Sequence, residues 1–170
     1  MSGAGAIPGA EQLAHEAAIR AVLASYCRAV DRADAGLLAR CFWDDARVDY
    51  GGYKGAAQPF CPLLVDAIRG WGQTHHQIGQ TLVEFAGEGA ARVETYVTAG
   101  HFPAAGQGEE MTYLGRYLDR FERRGGEWRI AERVIVMSWT RLAPVTHDPQ
   151  GSAVAGLQLA GRKPDDPLYR

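Results

Sequence analysis

The spacing of apolar positions changes period once along the chain. From Glu11 to Val30, the residues Leu13, Ala17, Val22, Leu23, Tyr26 and Val30 recur at steps near three and four. That is one stripe of an amphipathic helix. Asp34 suits the N-cap of a second, short helix carrying Leu37, Leu38, Cys41 and Phe42. A short extended piece, Ala46 to Tyr50, ends at Gly51-Gly52. Pro59 then fits the first turn of a third helix, with the stripe Leu63, Leu64, Ala67, Ile68 and Trp71 and a stop at Gly70 or Gly72.

Beyond Thr74 the period shortens to that of strands. Thr74 to Phe85 is a β-permissive run, Gly87-Glu88-Gly89 signals a turn, and Val93, Thr95 and Val97 alternate within Ala91 to Phe102. A second pair, Thr112 to Arg123 and Glu127 to Thr140, is joined at Arg124-Gly125-Gly126. Pro103 to Glu110 has the composition of a mobile loop. Helices followed by a meander of long antiparallel strands predict an α+β fold, a curved antiparallel sheet wrapped around N-terminal helices as a cone-shaped barrel. Curved sheet and helices do not close-pack everywhere, so an internal apolar cavity is expected between them. The domain spans 11–142, preceded by a flexible Gly/Ala-rich tail over 1–10. After it, 143–170 carries Pro144, Pro149, Pro164 and Pro167 and reads as an extended arm, packed on a neighbour or over the cavity mouth.

Composition narrows the function. The 170 residues suit one domain, and 46% apolar content with a net charge of −2 excludes a disordered chain. With 18 basic against 20 acidic side chains there is no excess to neutralise phosphates, so nucleic acid is not an expected partner. No apolar run reaches the roughly 18 residues of a membrane span, and the N-terminus lacks the features of a signal peptide, so a cytoplasmic protein without membrane contact is expected. Cys27, Cys41 and Cys61 form an odd set without CxxC spacing and read as structural. His75-His76 diverge on a strand and do not make a metal site. No phosphate-binding glycine motif and no nucleophile elbow is present, so no cofactor is implied.

Four stretches together resemble the SnoaL-like branch of the nuclear transport factor 2-like superfamily. They are Tyr26-Cys-Arg-Ala-Val-Asp31, Phe42-Trp-Asp-Asp-Ala-Arg-Val-Asp-Tyr50, Thr74-His-His-Gln-Ile-Gly79 and the hairpin from Gly115 to Ile130. Scytalone dehydratase and hexachlorocyclohexane dehydrochlorinase, cofactor-free lyases of this superfamily, have similar layouts. The superfamily also holds isomerases, cyclases and non-catalytic subunits, so the fold alone does not fix function.

The resemblance directs attention to particular side chains. Asp31 closes the first helix where both lyases place an aspartate that pairs with a histidine. His76 matches the dehydratase's histidine segment; strand parity puts it with Ile78, Gln80 and Leu82, and His75 on the other face. A carboxylate bonded to one imidazole nitrogen fixes the tautomer and makes the other nitrogen the base. His101, on a face with Val93, Thr95, Val97 and Ala99, resembles a second pocket histidine of the dehydratase; its bland alternative is a rim position. Arg133 matches the dehydrochlorinase's pocket arginine and could stabilise a developing anion; its alternative is a cross-strand salt bridge on the outer face. Tyr50 stands where the dehydratase has a substrate-binding tyrosine. Tyr26 replaces the dehydrochlorinase lysine, Tyr117 a dehydratase asparagine and Val30 a second dehydratase tyrosine, so neither specific activity carries over.

The expected function is a cofactor-independent lyase or isomerase acting on a small apolar, cyclic or aromatic substrate. Asp31, His76, Arg133 and His101 are the catalytic candidates, and Tyr26, Tyr50 and Tyr117 line the substrate. Two alternatives stand beside it. One is a non-catalytic assembly subunit like the small subunit of ring-hydroxylating dioxygenases. The other is an epoxide-type hydrolase, needing an Asp–Arg–Asp set for which Asp49 or Asp119 would supply the second carboxylate. Long antiparallel strands should not stay bare, so a homodimer or homotrimer through the convex sheet face is expected.

Overall fold

A computed structural model describes residues 7–104, 106–146 and 156–170. Three helices, α1 (Ala10–Asp31), α2 (Ala35–Arg40) and α3 (Ala57–Arg69), precede the long strands. β1 (Phe42–Asp49) and β2 (Lys54–Ala56) lie between α2 and α3, and β3 (Trp71–Phe85), β4 (Ala90–Pro103), β5 (Glu109–Arg124) and β6 (Glu127–Pro144) follow. They form one six-stranded sheet in the order β2-β1-β6-β5-β4-β3. All neighbours are antiparallel except β1 and β6, which run parallel. The fold is the expected α+β plan, with an open curved sheet over the helices. Among the described residues no helix is long and apolar enough to cross a membrane.

Local signals explain the helix boundaries. The Asp34 side chain accepts from the Leu37 amide at 3.0 Å, capping α2 as its sequence position predicts. Gly70 ends α3. The buried faces differ from the predicted stripes, however. Ile19, Leu23, Tyr26, Cys27 and Val30 are buried on α1, whereas Leu13 and Ala17 near its start are exposed. On α3 the buried residues are Ala57, Phe60, Cys61, Val65 and Ile68; Leu63 and Ala67 face solvent. Several apolar residues on each helix allow more than one stripe of the right period, and only the sheet chooses among them.

The strands extend further than composition suggests. The extended piece at Ala46–Tyr50 is the end of the longer β1, and the connection between β4 and β5 is shorter than expected because pairing continues to Pro103 and resumes at Glu109. The core unites Leu23, Val30, Phe42, Phe121 and Ile130. Each such side chain contributes roughly 1.5–3 kcal/mol on full burial. Tight turns rest on glycine: Gly125 and Gly126, with φ of 58° and 90°, close the β5–β6 hairpin. The three cysteines are buried and unpaired. Burial pushes the Cys27 thiol up to about 12, so it is a poor nucleophile at neutral pH.

Candidate active site

α1 and β3 meet where the helix ends and the strand begins. Asp31, the last residue of α1, is buried, and its Oδ1 lies 2.7 Å from Nδ1 of His76. The His76 backbone amide donates to Asp31 Oδ2 at 2.9 Å, and the Thr74 hydroxyl donates to Oδ1 at 2.9 Å. Burial works against ionisation of Asp31, but the hydrogen bonds and charge of His76, with the Thr74 hydroxyl, outweigh it and hold the carboxyl below its ordinary value. An ionised carboxylate only accepts, so the His76 ring must donate from Nδ1. Nε2 has no hydrogen-bond partner among the described residues, so it is the ring nitrogen left open to a substrate.

Strand parity places His76 inward and His75 in solvent, as predicted. The same rule fails three residues later. Ile78 pairs with Val97 but Thr81 with Thr95, so β3 carries one more residue than β4 between these points. This bulge inverts the parity. Gln80 and Leu82, expected beside His76, are exposed, while Thr81, Val83 and Phe85 take the less exposed positions.

His101 pairs opposite Thr74 on β4, and its inward face is shared with the buried Val93, Thr95, Val97 and Ala99, as expected. Its ring meets His76 edge-on at 5.7 Å and Trp71 at 5.2 Å between centroids. Burial first, and then the charge of His76, push its basicity down. Its Nδ1 is buried and meets no partner at hydrogen-bond geometry. A groove of about 420 Å³ opens beside it, with Thr74, His75, Phe102, Met111 and Ala160 in its wall; neither His76 nor Asp31 lines it.

A second polar cluster occupies the interior between β5, β6 and α1. Asp119 and Arg133 are register partners on β5 and β6. Two contacts of 2.7 Å join them, and both side chains are completely shielded. Arg133 thus makes a cross-strand pair, but on the inner face and not the outer one. Burial drives the Asp119 carboxyl up and Arg133 draws it back. A guanidinium does not release its proton, so a neutral Asp119 would leave a bare buried cation; the pair is ionised. The guanidinium carbon lies 4.1 Å from the ring centres of both Tyr26 and Tyr117. Tyr26 and Tyr50 share a hydroxyl–hydroxyl contact of 2.6 Å. Nη1 of Arg133 is buried and meets no partner at strict hydrogen-bond geometry, and the guanidinium opposes, by its charge and its approach to the hydroxyl, the rise that burial gives the Tyr50 phenol.

The structure therefore brings the predicted residues together as two groups: Asp31, His76 and His101 at one end of β3 and β4, and Arg133 with Tyr26, Tyr50 and Tyr117 deeper between the strands. The Asp–Arg–Asp set of an epoxide-type site is not assembled. Asp31 pairs with His76, Asp119 alone pairs with Arg133, and Asp49 pairs with Lys54 near the sheet edge. Sequence reasoning missed Thr74, Tyr113 and Arg162. Thr74 had a usable signal, since it shares strand parity with His76. Tyr113 is in register with Ala99, itself in register with His76, and its hydroxyl donates to the Val136 carbonyl at 3.1 Å. Arg162 lies in the aperiodic tail, where no pattern marks it.

Comparison with known proteins gives the class. The sequence matches the SnoaL-like domain over residues 11–134, and the chain belongs to that family. Similar folds include a candidate scytalone dehydratase from Novosphingobium aromaticivorans, with 21% identity, 81% of this chain and 91% of that one covered, and a TM-score of 0.71. A hexachlorocyclohexane dehydrochlorinase from Novosphingobium barchaimii has 22% identity, coverage of 81% and 94%, and a TM-score of 0.70. A protein of unknown function from Mycobacterium tuberculosis has 26% identity, coverage of 79% and 78%, and a TM-score of 0.68. No curated protein matches the sequence.

Proposed function

We propose that this chain is a cofactor-independent lyase or isomerase for a small, mostly apolar, cyclic or aromatic substrate. The observation that carries the reading is the 2.7 Å contact between His76 Nδ1 and Asp31 Oδ1. With Nδ1 committed to the carboxylate, Nε2 of His76 takes the substrate proton. Asp31 stabilises the imidazolium that forms. His101, its basicity lowered by burial and by His76, offers a ring N–H hydrogen bond to the leaving group or to a developing oxyanion. Tyr50 offers a second hydroxyl, and Arg133 acts on it by charge. The similarity to a dehydratase and a dehydrochlorinase supports elimination, though at these identities it speaks for the fold and not for a substrate.

The test is a set of cyclic and aromatic compounds bearing a weakly acidic C–H beside a hydroxyl, halide or carbonyl. They are incubated in D₂O and followed by NMR for deuterium uptake and elimination. At least one is expected to react, and His76→Ala to slow it by about 10² to 10⁴-fold with the fold intact. Undiminished turnover in that variant overturns the base assignment.

A second reading, a non-catalytic assembly subunit, draws on the filled interior around Arg133 and on Met137, Trp139 and Leu142, which stand exposed on β6. It is distinguished by co-purification with a larger, unrelated chain. Self-association through the convex sheet face, as a dimer or trimer, is the partner state proposed here. Light scattering of the wild type and of Trp139→Lys measures it directly.

A further inference from the structure

We propose that Arg162, carried back by the C-terminal segment, is a positioning residue for the Asp31–His76 pair, acting through the Thr74 hydroxyl; the inference rests on the reading of that pair as a proton-transfer site. Nη1 of Arg162 donates to the Asp31 carbonyl and, at 3.0 Å, to Thr74 Oγ1. Nη2 lies 3.3 Å from both the Ile68 and the Trp71 carbonyls. One guanidinium thus ties the end of α1, the end of α3 and the start of β3, satisfying carbonyls that helix ends leave without partners.

The direction of the relay follows from the inventory of donors. Arginine only donates, so Thr74 Oγ1 accepts from it and its single proton is free for Asp31 Oδ1. Asp31 Oδ1 then receives Thr74 and the His76 ring, and Oδ2 receives the His76 amide. Neither oxygen can rotate away without breaking a bond, and His76 is held as the Nδ1–H tautomer.

The segment reaches this position by anchors of its own. The Lys163 amide donates to the Arg32 carbonyl at 2.7 Å, and its Nζ pairs with Asp34 at 2.9 Å. Arg32 Nε lies 3.0 Å from Asp166, and Gln73 Nε2 donates to the Ala160 carbonyl at 2.6 Å. Removing the Arg162 side chain therefore leaves the segment docked but takes away the relay together with the bonds to the Asp31, Ile68 and Trp71 carbonyls, whereas Thr74→Val interrupts the relay alone.

The experiment is ¹⁵N–¹H NMR of the full-length chain labelled at histidine, with His76 assigned through His76→Gln. The wild type is expected to show a protonated Nδ1 and an unprotonated Nε2. In Arg162→Ala the two nitrogen shifts should move toward each other as both tautomers become populated. Thr74→Val should produce the same movement, and the double variant no more than either single one. A merely structural role would lower the melting temperature without moving the His76 nitrogens. Unchanged His76 shifts in Arg162→Ala overturn the proposal. If that variant does not fold, unchanged shifts in Thr74→Val do so. Turnover by His76→Ala would sink the proposed base while leaving this NMR result to stand or fall alone.

Discussion

Arg133 and Asp119 face each other across β6 and β5 with two 2.7 Å contacts and no solvent exposure. The guanidinium is enclosed by the rings of Tyr26 and Tyr117 as well. Removing one partner strands the other charge in a medium that cannot solvate it. Asp119→Asn should cost about 3–5 kcal/mol. The double change Asp119→Leu with Arg133→Met, which removes both charges together, should cost less. Urea denaturation of the three chains decides it; a double variant weaker than Asp119→Asn would contradict this account.

Gly115 has a packing role that its sequence context hides. A Cβ there would sit 2.3 Å from both the Tyr113 hydroxyl and the Val136 carbonyl. Because the carbonyl belongs to the neighbouring strand, the clash cannot be relieved by a rotamer change alone. Gly115→Ala should lose about 1–3 kcal/mol. Leu114 pairs with Trp139 but Gly115 with Met137, so Ser138 is an extra residue in β6. Thermal unfolding measures the loss, and a variant as stable as the wild type would show that β6 yields at that bulge.

His101 should leave a mark on the pH dependence of stability. Burial and the neighbouring His76 hold its basicity below the ordinary value of 6.5. As pH falls below 6.5 the unfolded chain takes up a proton there that the folded chain refuses, so stability is lost down to the folded value. Above 6.5 the residue is neutral in both states and contributes nothing to the slope. His101→Gln should flatten the melting temperature profile in that window; an identical profile would argue against the burial effect.

Asp31 acts at lower pH and with the opposite preference. Its carboxyl is held below the ordinary 3.8, so its stabilising contribution is complete well above 3.8 and disappears as pH falls through the folded value. Asp31→Asn should be less stable than wild type at neutral pH, with the difference shrinking in acid. Under the proposed mechanism it should also lower turnover by about 10² or more, since the amide does not stabilise the imidazolium. A constant stability gap across this range would place the effect in packing and not in ionisation.

Much of the scaffold and part of the site were legible because they depend on local periodicity. Two-residue alternation put His75 and His76 on opposite faces and His101 with Val97 and Ala99, while the family resemblance singled out His76. The Asp34 cap lay in the residue type itself. Legibility stopped at Ile78, where one extra residue in β3 inverts the parity and turns Leu82 outward. Nothing in the β3 sequence counts the residues of its partner strand.

The chain's own pattern determined the helices, the long hairpins and that His75 and His76 face opposite ways, because backbone geometry repeats every few residues and needs no distant neighbour. The partners were decided in three dimensions. Asp31 meets His76 across 45 positions of chain, and Arg162 comes back to Asp31 over 131. Arg133 is neutralised by Asp119 only because two strands register so as to set them opposite each other. Charges out of water require partners at hydrogen-bond distance, and that distance exists only after the sheet has closed over the helices.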